Sequence, residues 1–312
     1  MFRIILNKRQ MSISIKSIKT GVFSFLIVLF LMPIGHALMV LNEKLIPEYK
    51  FIGASIIGFT GLLLFFIGIR KNKKPLTATI LGLIAGILIW TGWVEFSFVW
   101  IAEKLQVAPL IENGEITTKP EYLVMLSSVG LLSTILIMYI FKQSSCTFFN
   151  WFQKIGGLKF DKIKAQDKVW AGITFIETII ILWTFYILLL LVYDKDIAGD
   201  RHPITYFVAF GSLFWSAFLC IKLIKIKKFD YAIRYAIPTV IIFWNFIEVT
   251  GRWDLFKEIW VHPFEHWIEN SIIFGLLVGF IVFYFVENSL RLKDKKNQLE
   301  IKKTAKAKAK TV

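Results

Sequence analysis

Two cysteines in 312 residues, Cys146 and Cys220, leave little scope for sulfur chemistry. Both fall toward the side read below as cytoplasmic, so no outward disulfide forms and no thiolate metal cluster can be assembled. The chain also lacks a glycine-rich phosphate loop, a nucleophile elbow and an H-E-x-x-H pair, which removes the common soluble-enzyme signatures. Its four histidines are too few for the histidine boxes of membrane di-iron hydroxylases. Acidic residues are scarce as well, 22 Asp and Glu against 37 Lys and Arg, a net charge of +15.

What is plentiful is apolar. The hydrophobic fraction is 56% and the mean hydropathy +0.63, far above an average soluble domain. Apolar segments of about 20 residues, enough to cross a bilayer as helices, recur at approximately 20–41, 51–69, 77–101, 122–141, 169–193, 204–222, 235–250 and 271–289. The expectation is an all-α integral membrane protein with eight transmembrane helices. The first segment is too long for a signal-peptide core and no small-x-small cleavage site follows it, so it reads as a retained helix.

Charge supports the count. With both termini cytoplasmic, the inner segments hold 29 of the 37 Lys and Arg, and the outer ones hold 8 together with 13 Asp and Glu. This positive-inside asymmetry repeats in every loop and places the chain in a bacterial-type inner membrane. The surplus charge therefore faces anionic lipid headgroups, above all in the KKTAKAKAK tail, and is not a nucleic-acid signal.

Two short stretches repeat each other. Trp90–Trp100 reads WTGWVEFSFVW and Trp244–Trp253 reads WNFIEVTGRW, with Glu95 and Glu248 at matching places 153 positions apart. Tyr49 and Tyr206, Gly21 and Gly172, and Glu121 and Glu269 pair at separations of 157, 151 and 148. These offsets predict two parallel four-helix halves, because an even helix number returns the second half to the same side. The divisions are 1–19, a basic cytoplasmic N-terminus; 20–141, the first half; 142–168, a cytoplasmic interfacial linker; 169–289, the second half; and 290–312, a basic tail.

A carboxylate in the bilayer costs about 2.5–3.5 kcal/mol on insertion scales, so each one wants an explanation. Glu95 and Glu248 lie in the outer third of helices three and seven and are the candidate catalytic pair, with Arg252, Asn245, Trp93, Trp100 and Trp253 in support. If the two face each other closely, like charges resist joint ionisation and one holds a proton. The structural reading of Glu248 is an i,i+4 pair with Arg252. Glu177, in the inner half of helix five, is expected to pair with Lys222, Lys225 or Arg234.

All four histidines, His36, His202, His262 and His266, fall on the outer side. Imidazole is the commonest metal ligand, so a transition metal is one cofactor this pattern allows. Pro263 interrupts the His262/His266 spacing, however, and reads as the start of a new helix. Between 253 and 269 aromatic and acidic residues alternate at helical spacing, which predicts an amphipathic segment on the outer membrane surface.

Three functions fit. One is a membrane-embedded enzyme or metal-binding redox subunit with an outward carboxylate–histidine site. Two tryptophan-flanked acids on separate helices resemble the arrangement in small integral-membrane terpenoid cyclases, in one short pattern on a chain with a different helix count. The second is an ion or small-molecule transporter, which needs polar groups along the whole path, whereas the inner half offers Glu177 and scattered Thr and Ser. The third is an assembly or structural subunit that docks a partner on the 252–270 segment.

Overall fold

The computed structural model describes residues 14–112, 115–143, 147–160, 164, 167–283 and 286. Helices account for nearly all of it, because a backbone in lipid must satisfy its own N–H and C=O groups. Helix α1 spans Ile15–Leu45, α2 Lys50–Arg70 and α3 Pro75–Ile89. A π-helical turn, Trp90–Glu95, joins α3 to α4, Phe96–Lys104. A hairpin of β1, Leu110–Glu112, and β2, Glu115–Thr118, then leads into α5, Pro120–Leu126, and α6, Val129–Phe141. The remaining helices are α7, Thr147–Ile155; α8, Trp170–Tyr193; α9, Pro203–Leu223; α10, Phe229–Arg252; and α11, Trp267–Phe283.

Six helical spans are long and apolar enough to cross a membrane: α1, α2, α3 through α4, α8, α9 and α10. A seventh arises if α5 and α6 count as one span bent by 47°. At that bend Ser127 and Ser128 turn their hydroxyls back to the carbonyls of Val124 and Met125. The eighth expected span, 271–289, coincides with α11 up to Phe283 and then runs outside the described residues, as do Cys146 and the basic tail. The linker segment FFNWFQKI forms most of α7. Gln153 pins it by donating to the carbonyls of Tyr139, Ile140 and Lys142 at 3.3, 3.0 and 2.9 Å.

Lipid is as apolar as leucine, so these helices associate through close packing more than through expulsion of water. The most extensive pairings are α2 with α3, α9 with α10, α3 with α8, and α1 with α10. The central core gathers Ile27 and Val28 of α1, Leu83 of α3, Ile181 of α8 and Ile237 and Val240 of α10. Gly92, in the π turn, lies close against the α2 backbone: a Cβ there would sit 2.5 Å from the Gly58 nitrogen and 2.6 Å from the Ala54 carbonyl.

At the end of the bundle opposite the hairpin, buried Arg234 ties three helices. It donates to Thr79 on α3 at 2.6 Å, pairs with Asp230 at 3.3 Å and lies 4.4 Å from the ring centre of Trp170 on α8. Arg234 thus has partners besides any contact with Glu177, which is itself buried on α8.

Candidate functional site

The π turn decides where Glu95 goes. A π turn places one residue more per turn than an α-helix, and such turns cluster at functional sites. Here Gly92 and Trp93 turn toward α2, where Trp93 Nε1 donates to the Ser55 carbonyl at 3.3 Å and the indole meets Phe59 edge-on at 5.1 Å. Glu95 is thereby delivered to the opposite face, toward the interior of the bundle. Its Oε1 lies 3.4 Å from the Tyr186 hydroxyl of α8, a long contact, and Tyr186 lies 3.3 Å from the Tyr122 hydroxyl of α5.

Glu248 reaches the same interior from α10. Its Oε1 accepts the indole N–H of Trp244, one turn earlier, at 2.6 Å, and lies 3.7 Å from His36 Nε2 on α1. The partnerships cross: Glu95 is met by α8, and Glu248 by α1. Both carboxylates open on one cavity of about 340 Å³, walled by apolar side chains such as Leu182 and Ile241 and by the rings of Trp90, Tyr122, Tyr186 and Trp244. The volume falls at the low end of small-molecule sites.

A roof closes this end. Residues 253–266 form successive turns, with Asp254 in the left-handed region at φ 59°. The expected surface-lying amphipathic helix is not there, and α11 begins only at Trp267. Trp260 folds inward and stacks on Trp244 with centroids 4.9 Å apart, and the Glu258 carboxylate packs against Gly251. Those inward contacts, with Pro263, outweigh helical periodicity. Burial, reinforced by the Glu248 and Asp254 charges and eased by Arg252, pushes the Glu258 carboxyl up to about 7.

Arg252 lines the cavity, yet its guanidinium is held by Asp200 at 2.5 Å and stacks over Tyr193 at 4.3 Å. The expected i,i+4 pair with Glu248 gives way to this bridge to the α8–α9 loop. Asn245 also lines the cavity and reaches Ser212 on α9 at 3.4 Å.

The three tryptophans expected in support do not line the cavity. Trp93 packs on α2; Trp100 is half exposed under Lys104; and Trp253 bonds the Asp200 carbonyl at 2.7 Å beside Tyr206. The histidines are not gathered either. His36 lines the cavity, His202 caps α9 by accepting from the Ile204 N–H, and His262 and His266 pair with Glu265 and Glu269 in the roof. Among the described residues no three His, Cys, Asp or Glu side chains come together to hold a metal.

Wall residues that sequence reasoning did not place in the site include Trp90, Tyr122, Tyr186, Trp244 and Glu258. Trp90 and Trp244 carried a signal, since they precede the two glutamates by five and four residues in the repeated stretch. The tyrosines carried none.

The apolar helices define the class: the chain is a multi-pass, predominantly helical membrane protein. No protein-family model, no curated protein and no solved structure matches it.

Proposed function

We propose that this chain is a membrane-embedded acid–base enzyme that transforms a small, largely apolar molecule in its cavity. Its place is a bacterial-type inner membrane, with both termini cytoplasmic and eight spans arranged as two parallel four-helix halves. The matched pairings support that duplication: α2 with α3 repeats as α9 with α10, and α3 with α8 repeats as α10 with α1.

One observation carries the chemistry: Glu95 and Glu248 open on the same cavity from different helices, the π turn after α3 and α10. The hydrogen-bond chemistry assigns their roles. An indole N–H can only donate, so the 2.6 Å bond from Trp244 serves an oxygen lone pair of Glu248 and suits a base. The Tyr186 hydroxyl can donate or accept, so Glu95 is served with or without its proton and suits an acid. A substrate between them gives a proton to Glu248 and takes one from Glu95.

The transporter reading rests on a different observation. Glu177 is buried on α8, nine residues from Tyr186 toward the other end of the bundle. The two readings part at the variants.

Positioned acids and bases contribute typically 10²–10⁴-fold, so Glu95→Gln and Glu248→Gln are each expected to lose at least about 100-fold in turnover. Mass spectrometry of apolar metabolites, in membranes from cells making each form at matched levels, reads this out. A compound consumed by wild type and spared by both variants is the expected result. Variants that reproduce the wild-type profile, where that profile differs from cells lacking the chain, sink the reading. Dependence on Glu177 instead favours transport.

A further inference from the structure

The cavity walls also speak to the charge of the ligand, an inference that rests on reading the cavity as a small-molecule site. Seven aromatic rings line it: Trp90, Trp244, Trp260, Tyr122, Phe185, Tyr186 and Tyr193. They include two groups of touching rings, Trp90 and Tyr122 on Tyr186 in one, and Trp244 with Trp260 in the other. Trp90 lies 6.0 Å from Tyr186, Tyr122 lies 5.8 Å from Tyr186, and Trp244 lies 4.9 Å from Trp260, all between ring centres. Aromatic faces carry negative quadrupole charge and attract cations, most strongly where water is excluded.

Four carboxyl groups share the lining: Glu43, Glu95, Glu248 and Glu258. Only two side chains of fixed positive charge accompany them, and each is held by a carboxylate outside the lining. Arg252 is taken by Asp200 at 2.5 Å, and Lys119 lies 3.9 Å from Glu121. Arg252 over the Tyr193 ring already shows one wall ring receiving a cation. The remaining rings and carboxyls hold more acceptor character than the protein's own cations use.

An inorganic cation is a poor match. Calcium takes six to eight oxygen ligands and magnesium a near-ideal octahedron, and no three ligating side chains converge among the described residues. An alkylammonium ion has no such requirement. Its charge spreads over the carbon atoms around nitrogen, which ring faces contact directly, while an apolar body packs on Leu182, Leu189 and Ile241. We infer that the ligand of this cavity is a lipophilic organic cation, a quaternary or protonated amine whose positive centre sits between the tryptophan and tyrosine rings beside Glu95 and Glu248.

The test compares choline with 3,3-dimethylbutan-1-ol, which has the same shape and no charge, by isothermal titration against the full chain in lipid nanodiscs. Choline is expected to bind at least tenfold more tightly than the alcohol. The gap should close in the Glu95→Gln/Glu248→Gln double variant and narrow in Trp260→Leu. Equal binding of the two probes to wild type overturns the inference and needs no variant to interpret. So does a gap that survives in the double variant. Binding is read here without turnover. Loss of the charge preference therefore leaves the acid–base reading standing, and variants with unchanged metabolite profiles remove that reading without touching the cation preference.

Discussion

Gly92 offers a sharp handle on how the site is built. Ordinary contact for a Cβ begins near 3.4 Å, while one added at Gly92 would lie 2.5 Å from the Gly58 nitrogen and 2.6 Å from the Ala54 carbonyl. Both obstacles are backbone, so no side chain can swing aside. Gly92→Ala must instead part the π turn from α2 by about 0.9 Å, the shortfall against ordinary contact. Overpacking of this kind costs roughly 1–3 kcal/mol, against a gain of about 1 kcal/mol for replacing glycine by alanine in a helix. The unyielding backbone favours the upper part of that range, so a net loss of about 1–2 kcal/mol is expected. Gly211, on α9, is the matched control, because nothing lies within 4 Å of its missing Cβ. Gly211→Ala should be neutral or stabilising by up to about 1 kcal/mol. At roughly 2–4 °C per kcal/mol, the two variants should melt about 2–12 °C apart in one detergent. A Gly92→Ala protein that melts as high as Gly211→Ala would refute the argument that close approach at the π turn sets the position of Glu95, three residues on.

Two further expectations concern the Glu248 side of the cavity. Trp244→Phe keeps a ring against Trp260 but deletes the N–H that Glu248 accepts; it should cost roughly 1.5–3 kcal/mol in thermal or denaturant unfolding, and Trp244→Leu should cost more, so a phenylalanine variant as stable as wild type contradicts the assigned bond. The native Glu258 carboxyl, pushed up from 4.5 to about 7, binds its proton more tightly than in the unfolded chain. Its contribution to stability is therefore fully present below pH 4.5 and is lost as the pH rises through about 7. Relative to Glu258→Gln, the melting temperature of wild type should fall across that window, and parallel curves would count against the burial described.

Much of the scaffold was legible because lipid imposes a simple rule: a span is a long apolar run, and the runs at 20–41, 51–69, 169–193, 204–222 and 235–250 all fall within helices. Insertion of one residue into a helix leaves hydropathy unchanged, so the π turn at Trp90–Glu95 had no signature in the apolar count. Tyr122 and Tyr186 were hidden because a tyrosine near a span end looks like any interfacial aromatic until another helix supplies its partner. The roof defeated pattern reading for a different reason. The 3.6-residue spacing of Trp253, Phe256 and Trp260 is real, but Trp260 gains more by stacking on Trp244 than by continuing a helix through Pro263. The histidines shared a side of the chain without sharing a place, since a capping role at His202 and surface pairs at His262 and His266 need no common centre.

The crossed partnerships also set a schedule for making the protein. Glu95 enters the membrane region 91 positions ahead of Tyr186, the hydroxyl that meets it. At about 5–20 residues per second, that separation is roughly 5 to 20 seconds of synthesis. His36 has to wait longer, until Glu248 emerges near the end of the chain. Glu95 is therefore carried for that interval without the Tyr186 hydroxyl, and the cavity closes only once α10 and the roof have been made. A chain stopped before α8 would hold Glu95 with no Tyr186 to meet it.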